Sequence, residues 1–129
     1  MSRDTADYSP RVRDLFARLP GADSLPAGGG AISSGEAIAL DRGAWVRFEA
    51  RVEGRHVTDC VFRAWGCPHT LAASAWVASE LRGRDVESCA PIDAAQIARV
   101  LEAPAEKMGR LLVVEDALRA LLRAADALQ

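Results

Sequence analysis

The residue whose type and setting could do chemistry is Cys67, in Arg63-Ala64-Trp65-Gly66-Cys67-Pro68-His69-Thr70-Leu71. Upstream, Val61, Arg63 and Trp65 alternate with Cys60, Phe62 and Ala64, a strand's period of two. Gly66 allows a sharp turn. Pro68 suits a first helical position, where its missing N–H costs nothing. Cys67 is then the expected N-cap, with unpaired backbone N–H groups and the positive end of the helix dipole facing its sulfur. Such a setting favours thiolate, the form that attacks sulfur or binds metal. The plainer reading is a small apolar residue at an element junction. His69, at the second helical position, could share a metal with Cys67 or form a Cys–His pair. The alternative is a surface histidine that happens to lie close.

The other chemistry-bearing residues carry less. Cys60 shares a strand face with Phe62 and reads as a buried structural thiol. Cys89, in the connector Glu87-Ser88-Cys89-Ala90-Pro91, reads as incidental. No Cys-x-x-Cys pair exists, so neither a zinc ribbon nor a thioredoxin-type site is available. His56 follows a turn and reads as solvated. Gly28-Gly29-Gly30 lacks the Lys-Ser/Thr of a phosphate loop. Ser33 and Ser34 have no nucleophile elbow around them. Asp41-Arg42-Gly43 is a polar turn before a strand.

The totals bound the answer. The chain has 129 residues, half of them apolar, and a formal net charge of −2. One globular domain spanning residues 1–129 is expected. A slightly acidic balance gives no bulk electrostatic case for nucleic acid. No apolar run approaches the ~18 residues of a membrane span, and the first residues hold no apolar signal core. Three cysteines, an odd number, in a chain too large to need a disulfide scaffold point to a reducing, cytoplasmic setting.

The elements that must position Cys67 follow from periodicity. Residues Pro10 to Leu19 read as an amphipathic helix, with Val12, Leu15, Phe16 and Leu19 on one side and Pro20-Gly21 ending it. A Gly/Ser/Pro-rich loop runs to about Gly35. A first strand is expected over Glu36 to Leu40. In Trp45 to Val52 the residues Val46, Phe48, Ala50 and Val52 face one way and Arg47, Glu49 and Arg51 the other, so one side is buried and one wet. Glu53-Gly54-Arg55 is a tight turn, and His56 to Trp65 is the returning strand. Pro68 to Arg82 is apolar nearly all round and reads as the central buried helix, with Gly83 after it. Asp93 with Gln96 starts a helix running to about Glu102, with Ile92 and Ile97 as its staple. Leu111 to Leu128 is the last helix, with Glu115, Arg119 and Arg123 expected on its exposed face. Strands first and helices after give an α+β fold: a three-stranded antiparallel sheet covered on one face by helices.

From Val46 onward the chain resembles the iron–sulfur cluster assembly scaffolds of the IscU type, also found as the N-terminal domain of NifU. The family's Phe-Lys-x-Tyr-Gly-Cys junction reads here Phe62-Arg63-Ala64-Trp65-Gly66-Cys67. Its small-residue helix with a Gly-Lys-type turn matches Leu71-Ala72-Ala73-Ser74 through Leu81-Arg82-Gly83-Arg84. Its last helix, near Ala-Glu-Asp-Ala-Ile, matches Val114-Glu115-Asp116-Ala117-Leu118. An initial Tyr-Ser-x-x-Val is echoed by Tyr8-Ser9-Pro10-Arg11-Val12. The resemblance implies a NifU/SufE-like fold and a role in cluster assembly, not an enzyme in its own right.

It also implies a ligand set that this chain has changed. Family members hold a [2Fe–2S] cluster or a zinc ion on three cysteines, often with an aspartate or histidine beside them. Only the middle cysteine is kept, as Cys67. The first falls at Arg42 and the aspartate at Ala44, with Asp41 a displaced substitute. The third falls at Arg110 and the histidine at Gly109. The chaperone-recognition segment Leu-Pro-Pro-Val-Lys survives only as Ala103-Pro104-Ala105-Glu106-Lys107. Cluster iron needs about four soft ligands. Cys67 with His69 and Asp41 is a weak metal set, and a cluster, zinc or iron stands beside the alternative of no cofactor. Arg42, Lys107 and Arg110 around one thiolate suit an anionic sulfur species, and guanidinium groups near Cys67 would favour its thiolate further. Three readings stay open: sulfur or cluster handling through Cys67 with a cysteine desulfurase and other iron–sulfur assembly proteins, including a SufE-like persulfide acceptor; a binding module that kept the fold and lost the cluster; and an unrelated hydrolase or transferase using Cys67 and His69. A homo-oligomer gathering several Cys67 thiolates would restore the ligand count.

Overall fold

The computed structural model describes residues 9–18, 25 and 27–128. Helix α1 spans Pro10–Arg18, strands β1, β2 and β3 span Ala31–Ala39, Ala44–Glu53 and His56–Trp65, and helices α2 to α5 span Pro68–Leu81, Val86–Cys89, Ala94–Leu101 and Met108–Asp126. Val12 and Leu15 of α1 are buried as expected. Tyr8, Leu19, Pro20-Gly21 and the side chain of Phe16 lie outside the described residues.

The strands form one antiparallel sheet in the order β1-β2-β3. On β2 the residues Ala44, Val46, Phe48, Ala50 and Val52 are buried, while the residues between them stay partly open. That alternation is the signature of a sheet covered on one side. Helix α5 crosses β1 and β2, and α2 packs on β3. Helix α2 is buried at ten of its fourteen residues, which explains why its sequence is apolar around the whole circumference.

Four expectations shift. The first strand begins at Ala31, not at Glu36, and ends at Ala39, with residues Leu40–Arg42 a 3-10 turn. Its inward residues are Ser33, Gly35 and Ala37, too small to announce a strand by hydropathy. They are small because α5 lies on them: a β-carbon on Gly35 would fall 2.1 Å from the Leu121 nitrogen, and the Ser33 hydroxyl donates to Leu121 O at 3.0 Å. The connector around Cys89 is itself a helical turn, α3, with Cys89 buried. The last helix starts at Met108, ahead of Leu111.

Glu115 and Arg119 are not a free surface pair. Glu115 accepts from Ala94 N at 2.8 Å. Arg119 donates to Ala90 O at 2.8 Å and Ile92 O at 2.7 Å. These side chains fasten α5 to the start of α4, whose own N-cap is Asp93 accepting from Gln96 N. Sequence spacing showed the pair facing each other, but not that another helix end needed its polar groups satisfied.

Candidate functional site

The β2–β3 register sets Trp45 beside Trp65, and the β1–β2 register sets Ala39 beside Ala44. The turn at residues 40–43 and the junction at 66–67 therefore share one end of the sheet. Gly66, at φ +150°, makes the turn out of β3. A β-carbon there would sit 2.9 Å from the Thr70 hydroxyl, so both backbone and space require glycine. Cys67 follows as the extended N-cap of α2, with Pro68 first in the helix.

The thiol is half-buried, with Sγ 3.8 Å from the Thr70 hydroxyl. Burial works against its ionisation. Hydrogen bonds outweigh that: the His69 side chain, the Thr70 amide and hydroxyl, and the His69 amide together bring the pKa from 9.0 down to about 6. The donors are those of a helix N-terminus, aimed at an anion. Neither Arg42 nor Arg110 is among the groups that lower it; the work expected of guanidinium groups is done by α2's own first turn. His69 is 2% exposed, so it is not a surface histidine. Thr70 was not foreseen. Its spacing of three from the N-cap is the signal that could have found it.

The other two thiols are inert by environment. Both are buried. Burial pushes Cys60 up to about 12, with Arg82 opposing, and burial likewise raises Cys89. His56 is solvated, with Nδ1 3.1 Å from Asp85.

Of the positions the resemblance assigns to metal ligands, residues 42 and 109 are brought together. A β-carbon on Gly109 would stand 2.7 Å from Cζ and Nε of Arg42. Among the described residues, Nε of Arg110 is buried without a hydrogen-bond partner. Lys107 ends the 3-10 turn that leads into α5. Asp41 is exposed in the 40–42 turn. Among the described residues no group of three or more His, Cys, Asp and Glu side chains is placed to hold a metal ion, so Cys67, His69 and Asp41 do not form one. Apolar side chains rim the same end of the sheet: Leu40 is 77% exposed, Ile38 56% and Trp65 46%. No described helix is long and apolar enough to cross a membrane.

Sheet, helices and a cysteine at the strand-to-helix junction define the architecture of the iron–sulfur cluster assembly scaffolds. The chain matches the NifU-like N terminal domain over residues 8–126, and it belongs to that family. It is 26% identical to the iron–sulfur cluster assembly scaffold protein IscU of Haemophilus influenzae over 116 residues, covering 89% of this chain and 92% of that protein. It is 28% identical to IscU of Azotobacter vinelandii over 117 residues, covering 90% and 91%. In fold it is similar to a cluster assembly scaffold protein for the SUF system from Fervidobacterium islandicum AW-1 (TM-score 0.73, 14% identity, 93% of this chain and 99% of that one). It is likewise similar to the N-terminal part of a NifU-like protein from Brucella abortus (TM-score 0.71, 14% identity, 92% and 94%).

Proposed function

We propose that this scaffold-family protein handles sulfur through Cys67, accepting it from the persulfide of a cysteine desulfurase, and does not store a cluster by itself. The observation that supports this most is the half-buried Cys67 thiol with its pKa brought down to about 6. At neutral pH it is largely thiolate and needs no base. The thiolate attacks the outer sulfur of the donor persulfide. A new S–S bond forms at Cys67, the donor's S–S bond breaks, and the donor leaves as a thiolate. The persulfide proton travels with the transferred sulfur, and no external oxidant or reductant is required.

The donor set argues against a cluster held by one chain. Iron in such clusters takes about four soft ligands. Here Arg42, Gly109 and Arg110 stand where the resemblance places a cysteine, a histidine and a cysteine. The exposed Leu40, Ile38 and Trp65, at the same end of the sheet as the thiol, support delivery by a protein partner, because grouped exposed apolar side chains mark a protein–protein contact.

The test is incubation with a cysteine desulfurase and cysteine, followed by intact-mass analysis. The expected result is addition of one sulfur atom to the native chain and none to Cys67→Ser. Native protein that gains no sulfur on Cys67 overturns the proposal. The binding-module reading is favoured by the missing ligand group alone. It requires the desulfurase to bind Cys67→Ala as tightly as the native chain without transferring sulfur to the latter.

A further inference from the structure

Resting on the reading of Cys67 as a sulfur acceptor, we infer that Cys67 is a relay: it hands the sulfur on to a second thiol, and the buried Thr70 hydroxyl favours that release. Thr70 is fully buried, and its hydroxyl stands 3.8 Å from Sγ of Cys67. Among the described residues that hydroxyl has no other hydrogen-bond partner. The backbone of Gly66 packs against it: a β-carbon there would meet Oγ1, Cβ and Cγ2 of Thr70 within 3.1 Å. The His69 side chain, buried as well, bonds the same sulfur. Cys67 itself is half-buried, so a sulfur donor reaches Sγ from the side that these groups do not cover.

The empty and loaded forms of Cys67 satisfy these buried groups unequally. A thiolate carries its charge on Sγ and accepts a charge-assisted bond from Thr70. Once a sulfur is attached, Sγ is a neutral divalent sulfur and a weak acceptor. The charge or proton of the hydropersulfide lies on the outer sulfur, which entered from the accessible side, away from Thr70 and His69. A buried donor that faces a weak acceptor is costly. The loaded form is therefore less stable here than on an ordinary cysteine, and Cys67 leaves more readily than an ordinary thiol. Its lowered pKa has the same origin.

The receiving group is a thiol. Its thiolate attacks the outer sulfur of the Cys67 hydropersulfide. A new S–S bond forms at the receiver, the S–S bond at Cys67 breaks, and Cys67 leaves as the thiolate that Thr70 stabilises. The proton stays with the transferred sulfur, so the receiver becomes a hydropersulfide and no oxidant or reductant takes part. A receiver of ordinary pKa is the poorer leaving group of the two, which sets the direction. Turnover of cysteine by the desulfurase loads the site, and the onward step draws the sulfur through it.

Inorganic polysulfide loads Cys67 without a desulfurase, so release is read apart from acceptance. After desalting, glutathione is added and intact mass follows the loss of sulfur. The native chain and Thr70→Ser, which keeps the hydroxyl, are expected to discharge about fivefold faster than Thr70→Val. Thr70→Ala, which also lacks the hydroxyl, should match Thr70→Val; a purely structural role for Thr70 would instead separate variants by size. Circular dichroism checks that each variant folds. A second arm replaces glutathione with the peptide Leu-Cys-Leu. Discharge in either arm supports the relay, and the faster arm tells a free small thiol from a protein thiol docking on Leu40, Ile38 and Trp65. Equal rates for the native chain and Thr70→Val, a Thr70→Ser as slow as Thr70→Val, or glutathione left on the chain in place of sulfur overturns the inference. A chain that polysulfide loads and glutathione unloads, but that the desulfurase does not load, sinks the acceptance reading and leaves the release chemistry standing.

Discussion

The guanidinium group of Arg42 occupies the space that a side chain at Gly109 would take: a β-carbon there would lie 2.7 Å from its Cζ and Nε. In the resemblance these two positions are a cysteine and a histidine. An arginine at 42 in this pose requires glycine at 109.

Gly109→Ala should displace Arg42 at little cost, because the atoms in the way belong to the end of a flexible side chain. We expect stability within about 1 kcal/mol of the native chain. Gly35→Ala should cost about 3 kcal/mol or more, because its neighbours are the backbone of α5 at Ala117, Ala120 and Leu121 and cannot yield singly. Urea unfolding of the two variants, side by side, checks the contrast.

Thiol labelling should resolve the three cysteines. In the native state one iodoacetamide per chain is expected, on Cys67, with a rate midpoint near pH 6. Cys60, pushed up to about 12, and Cys89 should label only after unfolding. Thr70→Val removes one of the hydrogen bonds to the sulfur and should move the midpoint upward. A native midpoint near 9 would refute the site geometry.

Stability should carry the same signature. Folding lowers the Cys67 pKa from 9.0 to about 6, so the folded state binds fewer protons between those values. Its contribution is complete above pH 9, shrinks as pH falls, and is gone below pH 6. The difference in unfolding free energy between the native chain and Cys67→Ala should therefore widen as pH rises from 6 to 9. A difference that stays flat would show that the thiolate is not held by these hydrogen bonds.

Ligand chemistry predicts the response to metal. Anaerobic iron and sulfide should leave the native chain colourless, because Cys67 is the one accessible thiolate. Arg42→Cys, Gly109→His and Arg110→Cys combined should bind one zinc ion per chain, a cysteine-and-histidine set of the structural type. Metal analysis after gel filtration reads both results. Tight stoichiometric zinc on the native chain would overturn the donor count.

Asp93→Ala should destabilise by about 1 kcal/mol through loss of the α4 N-cap, since the Gln96 amide would lose its acceptor. Glu115→Gln keeps an oxygen for the Ala94 amide and should cost less. Urea midpoints rank the two.

Where local order decides a feature, the sequence was sufficient. The alternation of Trp45 to Val52, the turn at Gly54, the return strand His56–Trp65 and the Gly66-Cys67-Pro68 junction are each fixed by neighbours along the chain, and all stand where periodicity and turn chemistry put them. The N-cap position of Cys67, and with it the amides that stabilise its thiolate, belongs to this class. What depends on distant residues was not legible. Strand β1 is built of small residues because α5 presses on it, and small residues carry no hydropathy signal. His69 is buried by packing that its own neighbours do not reveal. Glu115 and Arg119 became clamps on α4 because a helix end elsewhere left polar groups to satisfy. The fit of Arg42 against Gly109 joins positions far apart in the chain, and only the closed sheet and its helices bring such pairs within reach of each other.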